Sequence, residues 1–306
     1  MIDHKAISTA IASNYLAAHL TMGNWSGQHS DKAAAAELNA SKSAVADASR
    51  VTKNLLAGAD AELKAVKAAQ TAIRTYYYMV TLPYSTSEDG PKRGPRLLAV
   101  TRSLEVLRNI KVLQDDFKNR LDEFCAVYTQ RRDTALAEKL GGLGDASLYP
   151  DASDIRAEFR VKFRADTIGA TTDFSRLQSI PPELANFLAD RKGNEVREQV
   201  NAAMAEMQSR TLEAVRRMAN SLGKTGRGEK TKLFGSLITN LHTMVTFMED
   251  SNVSQNDEVT ALADRIKAEL LQHEIEAYRG NEGLAAEVAK KAEVLASELP
   301  DFDWSL

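Results

Sequence analysis

Residues 96–140, RLLAVTRSLEVLRNIKVLQDDFKNRLDEFCAVYTQRRDTALAEKL, decide the fold class. Leu97, Leu98, Leu104, Leu107, Leu113, Phe117, Leu121, Phe124 and Tyr128 recur mostly at steps of three and four, with no proline or glycine among them. That spacing predicts one long amphipathic helix, stopped by the GGLGD that follows it. Upstream, residues 33–79 also lack proline. Leu38, Val45, Val51, Leu55, Leu56, Leu63, Val66 and Ile73 give a second such helix, with a break at Gly58. Pro83 and the run STSEDGPKRGP close it and leave an exposed basic loop, so the two helices make an α-hairpin. A short helix over Asp3–Leu20 precedes them. A third long helix runs from Pro182, a suitable first helical residue, to about Leu222, and helices near 232–249, 256–279 and 283–298 follow.

One segment breaks the helical period. Phe159-Arg-Val-Lys-Phe-Arg-Ala165 alternates apolar and basic residues, which predicts a half-exposed strand showing Arg160, Lys162 and Arg164 on one face. A hairpin with residues 173–177 would complete it. The expected fold is mainly α: an elongated bundle of long amphipathic helices with a small β-hairpin insertion near residues 157–178, not an OB fold. Residues 1–299 form the body and 300–306 a tail.

Composition agrees. The 306 residues are 43% apolar and 26% charged, and seven prolines and sixteen glycines are fewer than the usual ~5% and ~7%. No run approaches the ~18–20 apolar residues of a membrane span, so a cytoplasmic protein without a membrane partner is expected. The single Cys125 excludes an internal disulfide and a cysteine cage for zinc. The net charge of −3 conceals a division. Residues 249–306 carry fourteen acidic and five basic residues, a balance of −9, and the remainder carries thirty-four basic against twenty-eight acidic, or +6. The cations are clumped. Lys92, Arg93, Arg96, Arg102, Arg108 and Lys111 face only Glu105 in their segment. Arg210, Arg216, Arg217, Lys224, Arg227, Lys230 and Lys232 face only Glu213 and Glu229. A basic body with an acidic end fits a nucleic-acid partner.

No catalytic set emerges. His4, His19, His29, His242 and His273 are scattered, and the zinc pattern HExxH fails because position 277 is alanine. Gly223-Lys224-Thr225 imitates the end of a phosphate loop, yet Met218 stands where that loop needs glycine. Cys125 lies among Leu121, Phe124 and Tyr128, which suits a structural thiol. The protein is therefore expected not to be an enzyme and to need no cofactor or metal.

Single-strand binding has better support. Cations track phosphates, and flat aromatic faces stack unpaired bases for ~1–3 kcal/mol each. Tyr76, Tyr77, Tyr78 and Tyr84 stand directly before Lys92, Arg93 and Arg96. Three successive helical positions span about 200°, so one or two of the first three tyrosines must face the core. The candidate stacking residues are Tyr77 and Tyr84, and the candidate phosphate contacts are Lys92, Arg93, Arg96, Arg102, Arg160, Lys162, Lys224, Arg227, Lys230 and Lys232. The segment 224–232 reads as a flexible phosphate clamp. At the end of the chain Asp301, Phe302, Asp303 and Trp304 interleave carboxylates with aromatics, a pattern suited to competing with nucleic acid and docking on a protein partner.

Three phrases carry a resemblance: YYMVTLPY over 77–84 followed by GPRLL at 94–98, LYPDASDIRAEFR over 148–160 with Asp173-Phe174 beyond it, and FGSLITNL over 234–241. Over roughly residues 70–270 the chain resembles the single-stranded-DNA-binding RNA polymerase cofactors of schitovirus-type bacteriophages. The resemblance implies a mainly helical, non-OB protein that holds melted promoter DNA in the host cytoplasm and recruits the phage RNA polymerase. It carries no position-specific contact motif, so the candidate residues stand on charge and aromatic placement alone. A helical scaffold or virion protein, built as a homo-oligomer without affinity for nucleic acid, is the alternative.

Overall fold

A computed structural model of the chain describes residues 11–84, 94–168, 182–229, 231–252 and 256–301. The structure is 68% helical, with small antiparallel sheets and, among the described residues, no barrel. The mainly helical class is therefore borne out. After a helical turn at 11–14 the elements are β1 (Tyr15–Gly23), β2 (Gln28–Ser30), α1 (Lys32–Ser41), β3 (Thr52–Asn54), α2 (Ala61–Met79), β4 (Leu82–Pro83), β5 (Arg96–Ala99) and α3 (Val100–Thr134). They continue as α4 (Ala152–Glu158), β6 (Arg160–Thr167), α5 (Pro182–Gly226), α6 (Ser236–Ser251), α7 (Asp257–Leu270), α8 (Ile275–Tyr278) and α9 (Glu282–Glu298).

Several of these differ from the periodicity reading. Tyr15–Gly23 is a strand rather than the end of a helix, because Tyr15–Ala18 pair antiparallel with Ala99–Arg96 of β5. Those four residues of β5 are all buried, so they form a strand before the long helix begins at Val100. Segment 33–79 is two helices, since the Ser- and Ala-rich stretch 42–51 turns back through β3. The strand over 159–165 is present as β6, and its expected hairpin partner at 173–177 lies outside the described residues. Helix α5 runs four residues past Leu222 and absorbs the first half of the supposed loop.

The chain divides into two compact units. The first comprises Met1–His19, Val80–Glu105 and Ala165–Leu306, and the second Leu20–Met79 and Val106–Arg164.

In the first unit α5 and α9 are antiparallel neighbours. The Gln208 side chain donates to the Leu299 carbonyl at 3.2 Å, Gly223 lies over Ala289, and Gly226 lies against Ala286. Ala219, Ala285, Ala289, Ala292 and Ala296 are all buried, and such small residues let two helix backbones come close. Helices α6 and α7 close the core with Leu241, Met248, Leu262 and Ile266, each worth ~1.5–3 kcal/mol when fully buried. Side chains of Asn256 and Asn281 cap α7 and α9 by accepting from Glu258 and Leu284 backbone N–H groups. Strand β4 forms one edge of the sheet order β4-β5-β1-β6, where Pro83 needs no donor of its own.

The second unit is held by α2, α3 and an aromatic cluster. Trp25 stacks on Phe124 with ring centres 6.3 Å apart and meets Tyr128 edge-on at 5.9 Å, and Phe124 meets Phe159 at 6.4 Å. The Tyr128 hydroxyl donates to the Pro150 carbonyl at 2.9 Å, and burial pushes its pKa up to about 12. Arg131 binds Glu62 and so joins α3 to α2. Cys125 is half-buried, and burial raises its thiol pKa, which suits a packing role.

The two glycines near the end of α5 should respond oppositely to alanine. A Cβ at Gly226 would sit 2.8 Å from the backbone of Ala286, so Gly226→Ala should cost about 1–3 kcal/mol. At Gly223 the nearest atoms are 3.6 and 3.9 Å away, so Gly223→Ala should stabilise by ~0.5–1 kcal/mol through the better helix former. Urea unfolding midpoints measure both. Shifts of the same sign would contradict the close α5–α9 approach.

Candidate nucleic-acid interface

In the second unit the alternation of β6 sorts side chains as the sequence predicts. Val161 and Phe163 turn inward: the Phe163 ring lies 6.2 Å from Tyr77, and the Gln114 amide donates to the Val161 carbonyl at 3.4 Å. Arg160, Lys162 and Arg164 are exposed on the opposite side. Arg160 and Lys162 have no acidic partner among the described residues. Two cations on one extended face stand about two residue rises apart, ~6.6 Å, close to the spacing of phosphates along an extended single strand.

In the first unit the C-terminal end of α5 builds an open cleft of about 530 Å³. Thr225 and the Gly228–Glu229 turn form one wall, Lys232, Leu233 and Phe234 another, and Arg279, Gly280 and Glu282 the third. The turn is hydrogen-bonded back onto the helix: the Gly228 N–H donates to Thr225 O at 2.9 Å and the Glu229 N–H to Lys224 O at 3.0 Å. Gly228 adopts a φ of 72°, which suits glycine, and its missing Cβ leaves the Glu282 carboxylate room at that spot. Arg279 donates to the Leu233 carbonyl at 3.0 Å and pairs with Glu276 at 3.5 Å, which holds the Leu233–Phe234 segment. Phe234 itself is 64% exposed. Lys224 and Lys232 are exposed and have no acidic partner among the described residues, whereas Arg227 is paired with Glu229 at 2.8 Å.

Other expected contacts fall elsewhere. Arg96 is 3% exposed: its Nε donates to Thr81 Oγ1 at 2.8 Å, and one Nη donates to the Thr81 carbonyl and to Glu206, each at 2.9 Å. It is an internal strut, not a phosphate contact. Arg210 shares Glu206 with it, and burial pulls the Arg210 pKa down. Arg102, 13% exposed, is taken up by Asp250 at 3.4 Å and Glu105 at 3.6 Å, so it too is removed from the interface. Tyr77 is 4% exposed, its ring against Tyr78 and Phe163, and it offers no face to a base. Tyr84 is half-buried against the first unit's core, and burial together with Glu195 raises its pKa. Lys92, Arg93, Lys230, Phe302, Asp303 and Trp304 lie outside the described residues. Asp301 closes the 3₁₀ turn Leu299–Asp301.

Phe234 is the functional candidate that the sequence reading passed over. Its signal was an aromatic residue directly before Gly235 and the start of α6, a position where a large side chain has little core to enter.

Among the described residues no group of three His, Cys, Asp or Glu side chains is placed to hold a metal ion, and no helix is long and apolar enough to cross a membrane. Comparison with protein-family models, with curated proteins and with solved structures finds no match.

Removing Arg96 should damage the fold and not the interface. Arg96→Ala removes three hydrogen bonds to Thr81 and Glu206 from a buried site, for an expected loss of about 3 kcal/mol in chemical denaturation. A variant of unchanged stability that has lost affinity for single strands would return Arg96 to the binding surface.

Proposed function

We propose that the protein binds single-stranded DNA without chemical conversion, its unpaired cations engaging phosphates and an exposed aromatic receiving a base. The observation that carries this reading is the outer face of β6, where Arg160 and Lys162 stand exposed without a counter-charge. Many other described cations are tied to an acid, as Lys111 is to Asp115 and Lys291 to Glu287. A cation without a carboxylate already in place breaks no ion pair when a phosphate arrives. As part of the same proposal, the DNA is melted promoter, and the acidic, aromatic residues Asp301, Phe302, Asp303 and Trp304 recruit the phage RNA polymerase. This part is supported by the sequence pattern and the resemblance.

A second reading, the oligomeric helical scaffold, draws on Leu104 and Leu107 of α3, one turn apart and 59% and 43% exposed. It requires an oligomer in sedimentation and no affinity for single strands.

Binding should weaken steeply with salt. Arg160→Ala with Lys162→Ala should lower affinity for every sequence alike and flatten the slope of log K against log salt by about 1.4, two phosphates at ~0.7 each. An unchanged slope in fluorescence anisotropy titrations would remove β6 from the interface. Deleting residues 302–306 takes out Asp303 and should leave affinity for single strands equal or higher. A collapse of affinity would overturn the masking role of this end.

A further inference from the structure

The cleft at the end of α5 contains a feature that phosphate binding does not explain. Glu282 and Phe234 both line it, the Glu282 carboxylate lies against Gly228 where no Cβ intrudes, and it has no hydrogen-bond or ionic partner among the described residues. A free carboxylate repels phosphate, so this part of the cleft is unsuited to the DNA backbone. It is suited to a group that presents N–H donors and a flat face. Phe234, 64% exposed, supplies the surface on which such a ring stacks.

Resting on the single-strand reading above, we propose that this cleft is a base-selective subsite that takes one unpaired guanine, stacked on Phe234 and held at its Watson–Crick edge by Glu282. The choice of base follows from donor patterns. Guanine alone carries two adjacent donors, N1–H and the N2 amino group, which a carboxylate can accept side by side. Thymine has one N–H flanked by two carbonyl oxygens that the carboxylate repels. Cytosine and adenine each offer one amino group beside a ring nitrogen acceptor, which again faces negative charge. Glu229, the other carboxylate in the cleft, is occupied by Arg227 at 2.8 Å, so Glu282 is the available acceptor. Lys232, which also lines the cleft and has no acidic partner among the described residues, meets the flanking phosphate.

The test is equilibrium binding of the full chain, by fluorescence anisotropy, to three labelled strands: oligothymidylate, the same strand with isolated guanines, and the same strand with inosine in their place. Guanine should tighten binding about tenfold over thymine, and inosine, which lacks the N2 amino group, should lose most of that gain. Glu282→Gln replaces one acceptor by a donor and should abolish the guanine preference while leaving oligothymidylate affinity within about twofold, since it removes no cation. Phe234→Ala should weaken guanine-bearing strands about tenfold. Both side chains are exposed, and melting curves of the variants confirm that folding is intact. Equal affinity of the wild-type chain for all three strands overturns the guanine subsite and leaves single-strand binding standing. Failure to bind any strand overturns both. A guanine preference that survives Glu282→Gln overturns the assignment of Glu282.

Discussion

The closeness of α5 and α9 governs the first unit. With glycine and alanine at the crossing points, the helix backbones approach until a single methyl at Gly226 would strike Ala286. That distance fixes the register of the antiparallel pair, from Gln208 against Leu299 at one end to Gly228 against Glu282 at the other. The cleft is a product of this register. Its walls come from the last turn of α5, the segment leading into α6 and the first turn of α9, and they converge only because the pair is locked along its length. A helix pair spaced by leucines would sit farther apart, and the same residues would then line a flat surface.

Electrostatics in this protein is decided by pairing more than by count. Arg96 and Arg160 are the same residue type, each placed on a strand. The first is enclosed with Thr81, Glu206 and a neighbouring arginine and stabilises the junction of β5 with α5, and the second faces solvent without an acid. A buried guanidinium with its donors satisfied is costly to disturb and unable to reach a ligand. The net charge of −3 averages over both kinds and says little about either.

Much of the architecture was legible from the residues. The period of two in Phe159–Ala165 gave β6 and the face that carries its cations, because alternation between Val161 and Phe163 on one side and basic residues on the other has one physical solution. The long α5 and α9 followed from uninterrupted helical spacing. Strand β1 was hidden because its residues, Tyr-Leu-Ala-Ala-His-Leu, have no strong strand preference, and pairing with β5 overrides what propensity they have. Arg96 was misread for a related reason. Its neighbours Leu97, Leu98 and Ala99 mark a fully buried strand, but a basic residue at the head of such a run is indistinguishable by pattern from one on a loop. The tyrosine triplet followed geometry, with Tyr77 inward, yet nothing in three identical residues says which one turns outward.

The interleaved chain path of the two units has a consequence for how the protein is made. The first unit needs residues 11–19 and 80–105, yet its core helices α5 to α9 begin at Pro182. The second unit needs nothing beyond Arg164. On the ribosome the second unit therefore has all its parts while β4 and β5 still lack the helices that cover them, and Arg96 emerges long before Glu206. For that interval β4 and β5 lack the helices that cover them in the folded protein, and Arg96 lacks its acid.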